Sequence, residues 1–272
     1  MATRSLSALL AGLTLTFGSL QPTAHADSGP ALGTPVATLD AAVSCSANYL
    51  TAAKHPILLV HGIAVSSDTN WNSNDKHCQY RGYPVCWVEP PNLELGDIQE
   101  SAEYIVNAIR KIYNDTGKPV DVIGYSEGSL LTTWALRFRP DLAGKTKRFI
   151  SIAGVLSDTV PANLSCFSFC VPAGHQMAVG SQVMQAMARH PLPPGPAYLS
   201  IASLTDEFNN PQPQASTFAG MTVVTVQQVC PGRVVGRVTV PVDAAVECGS
   251  TPPSSSPPGF PRRPTSRTPT AA

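Results

Sequence analysis

Gly124-Tyr125-Ser126-Glu127-Gly128 places a serine between two glycines, with Val120-Asp121-Val122-Ile123 before it and a helical pattern after it. This arrangement suits nucleophilic acyl transfer. A serine on a strained strand-to-helix turn aims its Oγ off the sheet edge, and neighbouring backbone passes too close for side chains at the flanking positions. The same turn offers the Glu127 N–H to a developing oxyanion. An ordinary glycine-rich turn is the plainer reading, but it requires neither the buried strand nor the helix. A second donor is expected from the loop after another buried strand, which ends at His61-Gly62, and the Ile63 backbone N–H is assigned to it. The His61 ring itself is expected to pack beneath the site. Asp206 follows the strand that ends at Ala202, so its carboxylate belongs on the same sheet edge as Ser126 and can orient a catalytic histidine. Glu207 is its rival and is expected to point away, and a plain loop role for Asp206 is the alternative.

The base is missing. In this chain order the histidine comes last, in the loop after the final strand, shortly past Cys230. Residues 230–240 read Cys-Pro-Gly-Arg-Val-Val-Gly-Arg-Val-Thr-Val, and the last histidine of the chain, His190, precedes Asp206. The other histidines that could substitute are His55, His61, His77 and His175. His61 lies on the right edge and His175 in the segment that covers such sites, but packing or surface roles are the plainer readings.

These residues need a scaffold, and the hydrophobic pattern supplies one. Pro56–Val60 is a continuous apolar run of the kind buried on both faces of a parallel sheet. Strands are also expected at Tyr83–Val88, Val120–Ile123, Phe149–Ile152, Tyr198–Ala202 and Thr222–Val229. Ile98, Ala102, Ile105, Ile109 and Ile112 form one apolar stripe, with Asp97 as the cap and Gly117 and Pro119 as the stop. Glu127–Phe138 and Met177–Ala188 read as further helices. Alternation of this kind implies an α/β fold, a mostly parallel central sheet with helices on both faces. One domain over residues 45–248 is expected, preceded by a loose lead-in at 27–44. A Pro/Ser/Thr/Arg-rich tail follows at 249–272, whose composition cannot bury enough surface to fold.

Composition narrows the partners. Eighteen basic and eighteen acidic residues balance, so neither nucleic acid nor an anionic membrane surface is indicated. Only 13% of residues are charged, which suits work outside the cell or against apolar material. Arg4, the apolar run Leu6–Leu20 and Ala24-His25-Ala26 form a signal-peptide pattern over residues 1–26. Its run is shorter than the roughly 20 residues that a membrane span needs. A secreted protein with no stable membrane anchor, monomeric by default, is therefore expected. Seven cysteines, an odd number, leave one unpaired within the chain, and spacing alone does not fix the pairing. No cysteine pair has histidines at zinc-finger spacing, so no metal site is read.

In order along residues 45 to about 240, the pieces resemble secreted lipases of the yeast lipase B type, found also in actinobacteria. They are Pro56–Val60 with Gly62, Asn70-Trp71, Cys86-Trp87 with Pro90-Pro91, Glu103–Ile109, the elbow at 124–128, Thr205-Asp206-Glu207 with Pro211-Gln212, and Val229-Cys230. The resemblance implies an α/β-hydrolase that cleaves triacylglycerols or simple esters with a Ser-Asp-His triad and no cofactor. By that likeness Ser126 is the nucleophile, Asp206 the acid, and Cys45 and Cys86 a disulfide. Ile63 stands where the yeast enzyme uses a side-chain hydroxyl, leaving only its backbone N–H. Arg237 stands, with one gap, where the family places its histidine, and arginine cannot accept the serine proton. Cys166 with Cys170 and, more weakly, Cys230 with Cys248 are further possible pairs, with Cys78 left over.

Two functions from different classes follow. One is a secreted carboxylic-ester hydrolase acting on lipids at a lipid–water interface, impaired by a substitution and an altered C-terminal segment. The other is a non-catalytic lipid- or surface-binding relative. A peptidase or acyltransferase shares the mechanism and is not separated from the first by fold analogy.

Overall fold

A computed structural model of the chain describes residues 28–71, 78–79, 81–157, 171–243 and 246. The signal-peptide pattern, His77, the Cys166–Cys170 pair, Cys248 and the tail lie outside the described residues. Seven strands form one sheet in the order β1-β3-β2-β4-β5-β6-β7. They are β1 Val43–Cys45, β2 Ile57–Val60, β3 Val85–Val88, β4 Val120–Tyr125, β5 Thr146–Ile152, β6 Ala197–Ala202 and β7 Thr222–Thr225. Every pairing is parallel except that of β1 with β3. Both β2 and β4 are buried at every residue, β2 as its unbroken apolar run implies and β4 even though it carries Asp121.

Helices cover the sheet: α1 Val36–Ala41, α2 Ser67–Trp71, α3 Ile98–Thr116, α4 Glu127–Phe138, α5 Pro172–Met177, α6 Gln182–Arg189 and α7 Val226–Val229. Asp97 Oδ1 caps α3 by accepting the Gln99 and Glu100 N–H groups, and Gly117 ends it at φ 65°. Ile98, Ile105, Ile109 and Ile112 on the α3 stripe are fully buried, together with Leu58 and Val60 of β2 and Leu130 and Leu131 of α4. The second core, on the other side of the sheet, gathers Ile57, Leu59, Trp71, Ile123, Ile150 and Leu199.

Three elements depart from the sequence reading. The stretch read as a loose lead-in contains α1 and most of β1. The strand read as Thr222–Val229 stops at Thr225, where the Thr225 hydroxyl accepts the Gln228 N–H and the Gln228 side chain accepts the Thr225 N–H. That reciprocal cap starts α7 despite the β-branched residues on either side. The helix read as Met177–Ala188 is two, α5 and α6, separated by Gly180 at φ 76° and restarted by the Ser181 cap.

Cys45 and Cys86 face each other in the β1–β3 register and are disulfide-bonded, closing 41 residues of sequence. Removing that closure frees the unfolded chain, so replacing both cysteines with alanine is expected to cost about 2–4 kcal/mol. A thermal melt checks this, and an unchanged melting temperature would refute it. Cys230 carries a free thiol, so the weaker pairing with Cys248 is not made. Cys78 is buried.

Candidate functional site

Ser126 sits at the N-cap of α4 with φ 54° and ψ −119°, backbone that a non-glycine residue holds only under constraint. The constraint is visible in its neighbours. The Ser126 N–H donates to Ile152 O (3.0 Å), and Val155 N–H donates to Ser126 O (3.3 Å). A Cβ on Gly124 would stand 2.8 Å from the Ser129 backbone, and one on Gly128 only 2.1 Å from His61 O. Both glycines of the elbow are therefore required by close backbone approach. Gly62 is a third such position, because a Cβ there would lie 2.9 Å from Ser126 Cβ. The turn carrying Ile63 is thus pressed against the elbow. Among the described residues neither the Ile63 nor the Glu127 N–H is engaged in a hydrogen bond.

Asp206 is buried beyond the end of β6. Its Oδ1 accepts the Phe208 and Asn209 N–H groups, both at 2.9 Å. Its Oδ2 accepts Arg237 Nη1 at 3.0 Å, and Arg237 Nη2 donates to Ser126 Oγ at 2.6 Å. One guanidinium therefore bridges the serine and the aspartate, which is the place a triad's imidazole would occupy. Glu207 is exposed and does not reach Ser126. Instead its Oε2 accepts the Arg237 N–H at 3.0 Å. The Tyr125 hydroxyl donates to Arg237 O at 2.9 Å. Burial pushes that phenol above its ordinary value, against the opposing charge of Arg237, so it remains a donor. Further along the same segment, Ser203 Oγ and Thr205 Oγ1 donate to Val235 O.

No described histidine contacts Ser126. His55 Nδ1 lies 3.0 Å from Pro119 O, while His175 is exposed and His190 packs on the Phe138 ring. His61 is fully buried, but its Nε2 lies 3.1 Å from Glu89 Oε2 and its Nδ1 3.4 Å from Glu94 Oε1.

That His61 environment is a feature the sequence reading missed. Glu94 and Glu127 are both fully buried, and their carboxyl oxygens have no hydrogen-bond partner among the described residues. Burial, then the charges of Glu127 and Glu89, push the Glu94 carboxyl well above the ordinary range. Burial does the same to Glu127, outweighing the favourable field at the start of α4. Glu89 goes the other way. Its burial is outweighed by His61 and by the Ser67 hydrogen bonds, which hold it below the usual value. The native state therefore keeps protons on Glu94 and Glu127 that the unfolded chain releases near pH 4.5. Stability from this source is greatest below that pH and falls as pH rises toward the raised native values. Glu127→Gln is expected to flatten the decline and raise the melting temperature at pH 8. Melts at several pH values check it, and a decline as steep as that of the parent chain would refute it.

The cleft above Ser126 has a volume of about 430 Å³, and its apolar lining includes Ile63, Val65, Tyr125, Phe208 and Val238. Its rim is open, with Phe208 52% and Val238 75% exposed. A larger depression of about 830 Å³, bordered by Trp134, Phe138 and Glu103, contains none of these groups. No cluster of metal-ligating side chains, and no helix long and apolar enough to cross a membrane, occurs among the described residues.

Comparison with known proteins agrees with this architecture. The family profile described as Lipase (class 2) matches residues 54–232. Lipase B of Pseudozyma antarctica is 32% identical over 189 residues, which are 68% of this chain and 55% of that protein. The crystal structure of Aspergillus fumigatus lipase B superposes with a TM-score of 0.73 at 21% identity, covering 89% of this chain and 62% of that one. Bacillus licheniformis lipase BlEst2 in its mature form superposes with a TM-score of 0.59 at 16% identity, over 73% of this chain and 92% of that one. The chain thus spans little more than half the length of the lipase B relatives it matches.

Proposed function

Because this chain belongs to the class 2 lipase family, we propose that it binds carboxylic esters at Ser126 but holds that serine without a base. The observation that carries this reading is the Arg237 bridge between Asp206 and Ser126. A guanidinium has only donors, so Ser126 Oγ accepts from Nη2 and, among the described residues, finds no group to take its proton. The elements of acyl transfer are otherwise present. Ser126 is the nucleophile, Asp206 the acid, and the Ile63 and Glu127 N–H groups the oxyanion donors. Asp206 is engaged by a cation and cannot orient an imidazole.

The substrates are triacylglycerol-type lipids or simple esters, which the apolar cleft and its exposed rim suit. A rim of this kind favours contact with a lipid–water interface. Secretion fits the N-terminal pattern and the disulfide. The same guanidinium contact favours a second reading, a lipid-binding relative that does not turn over.

Hydrolysis of p-nitrophenyl butyrate by the purified chain tests the proposal. Without a base, at most a residual acceleration of about 10³–10⁴ over water is expected from the oxyanion donors and binding. Turnover in the ordinary enzyme range of roughly 1–10³ s⁻¹ would overturn it.

A further inference from the structure

We propose that the cleft over Ser126 is a binding site for the carboxylate of a free fatty acid, with Arg237 as its charged partner. This rests on the reading of Arg237 as the occupant of the base position. A neutral imidazole beside ionised Asp206 would leave that pair with a net negative charge, which repels an anion. The guanidinium makes the pair neutral overall and sets a permanent cation 2.6 Å from Ser126 Oγ, where a carboxyl group meets the elbow. Among the described residues, two of its five N–H donors are used, on Asp206 and Ser126. Asp206 cannot draw it further away, because the other carboxylate oxygen already holds the Phe208 and Asn209 N–H groups. Glu207 is engaged with the Arg237 backbone N–H.

The surroundings complete a site for an amphiphilic anion. The unengaged Ile63 and Glu127 N–H groups are available to one carboxylate oxygen, and the guanidinium and the Ser126 hydroxyl to the other. Val65, Tyr125, Phe208 and Val238 give the tail an apolar wall within about 430 Å³, the size range of small-molecule pockets. An ester fits the same wall but accepts more weakly than a carboxylate from the guanidinium N–H groups that Asp206 and Ser126 leave free. The acid is therefore preferred, and each methylene that the wall covers tightens binding about fourfold.

Isothermal titration calorimetry on the full chain, at pH 8 and low salt, tests this with octanoate, its neutral isostere octanamide, and acetate. Octanoate is expected to bind at least tenfold more tightly than octanamide, and acetate to bind far more weakly than octanoate. Arg237→Gln is expected to abolish the preference for the acid while octanamide still binds. Equal affinity for octanoate and octanamide, or no octanoate binding, overturns the proposal. So does an unchanged preference in folded Arg237→Gln. If that variant does not fold, the comparison of the two ligands on the unmodified chain still decides. Ester turnover, assayed in parallel, is a separate readout. Rapid hydrolysis would refute the impaired-base reading without altering what the titrations say about the anion.

Discussion

Arg237→His is expected to raise the hydrolysis of a short chromogenic ester by about 10²–10⁴-fold, the usual contribution of a positioned general base. Two backbone contacts hold residue 237 whatever its side chain. Its N–H donates to Glu207 and its carbonyl accepts from Tyr125. The ring therefore enters beside Asp206 Oδ2, which loses its arginine and becomes free to orient an Nδ1 donor. An imidazole is shorter than an extended arginine side chain, so the segment must advance or a water must bridge to Ser126. For that reason the full loss of about 10⁶ associated with a missing triad histidine is not expected to be recovered. Adding Ser126→Ala should remove the gain. A folded Arg237→His with no increase would place the defect elsewhere in the segment, and a gain that survives Ser126→Ala would show that Ser126 is not the nucleophile.

The largest expected loss of stability lies at the other end of β4. Asp121 and Arg148 pair across β4 and β5 through two hydrogen bonds, Nε to Oδ1 at 2.7 Å and Nη2 to Oδ2 at 2.8 Å, with both residues buried. Asp121→Ala leaves a buried guanidinium unpaired, which costs about 3–5 kcal/mol and lowers the melting temperature by about 6–20 °C for a domain of this size. Replacing both residues, with Asp121→Ala and Arg148→Met, removes the stranded charge and should recover most of the loss. If the double variant melts as low as the single one, the pair contributes packing rather than charge compensation.

Strong local signals made the parts nearest the chemistry legible in sequence. The α4 boundaries, the Asp97 cap, and the expectation of Ser126 and Asp206 on one sheet edge follow from apolar runs and strand ends, whereas Arg237 was singled out only by the family resemblance. Neither the end of β7 nor the break between α5 and α6 was legible. Val226-Gln227-Gln228-Val229 continues a β-branched pattern, and only the Thr225–Gln228 hydrogen bonds turn it into a helix. The Gly180 turn was likewise hidden inside a helical apolar spacing. The His61, Glu89, Glu94 and Glu127 group was the largest omission. Glu94 lies in a Pro-Pro-Asn-Leu-Glu loop and Glu127 in the first turn of a helix, both places where a glutamate is ordinarily solvated. Their burial comes from segments distant in sequence packing under the elbow, which no local periodicity reports.

The anchoring of residues 235–237 has an evolutionary consequence. Val235 O is held by Ser203 and Thr205, the Arg237 N–H by Glu207, and Arg237 O by Tyr125. None of these bonds consults the side chain at 237, so the chain's path there is inherited independently of the residue that reacts. A lineage can therefore exchange histidine for arginine at this point without repaying the change elsewhere in the fold. Some arginine codons differ from a histidine codon by one nucleotide, so the return is as short as the departure. The geometry leaves the backbone path at residue 237 indifferent to such an exchange for as long as the four anchoring residues persist.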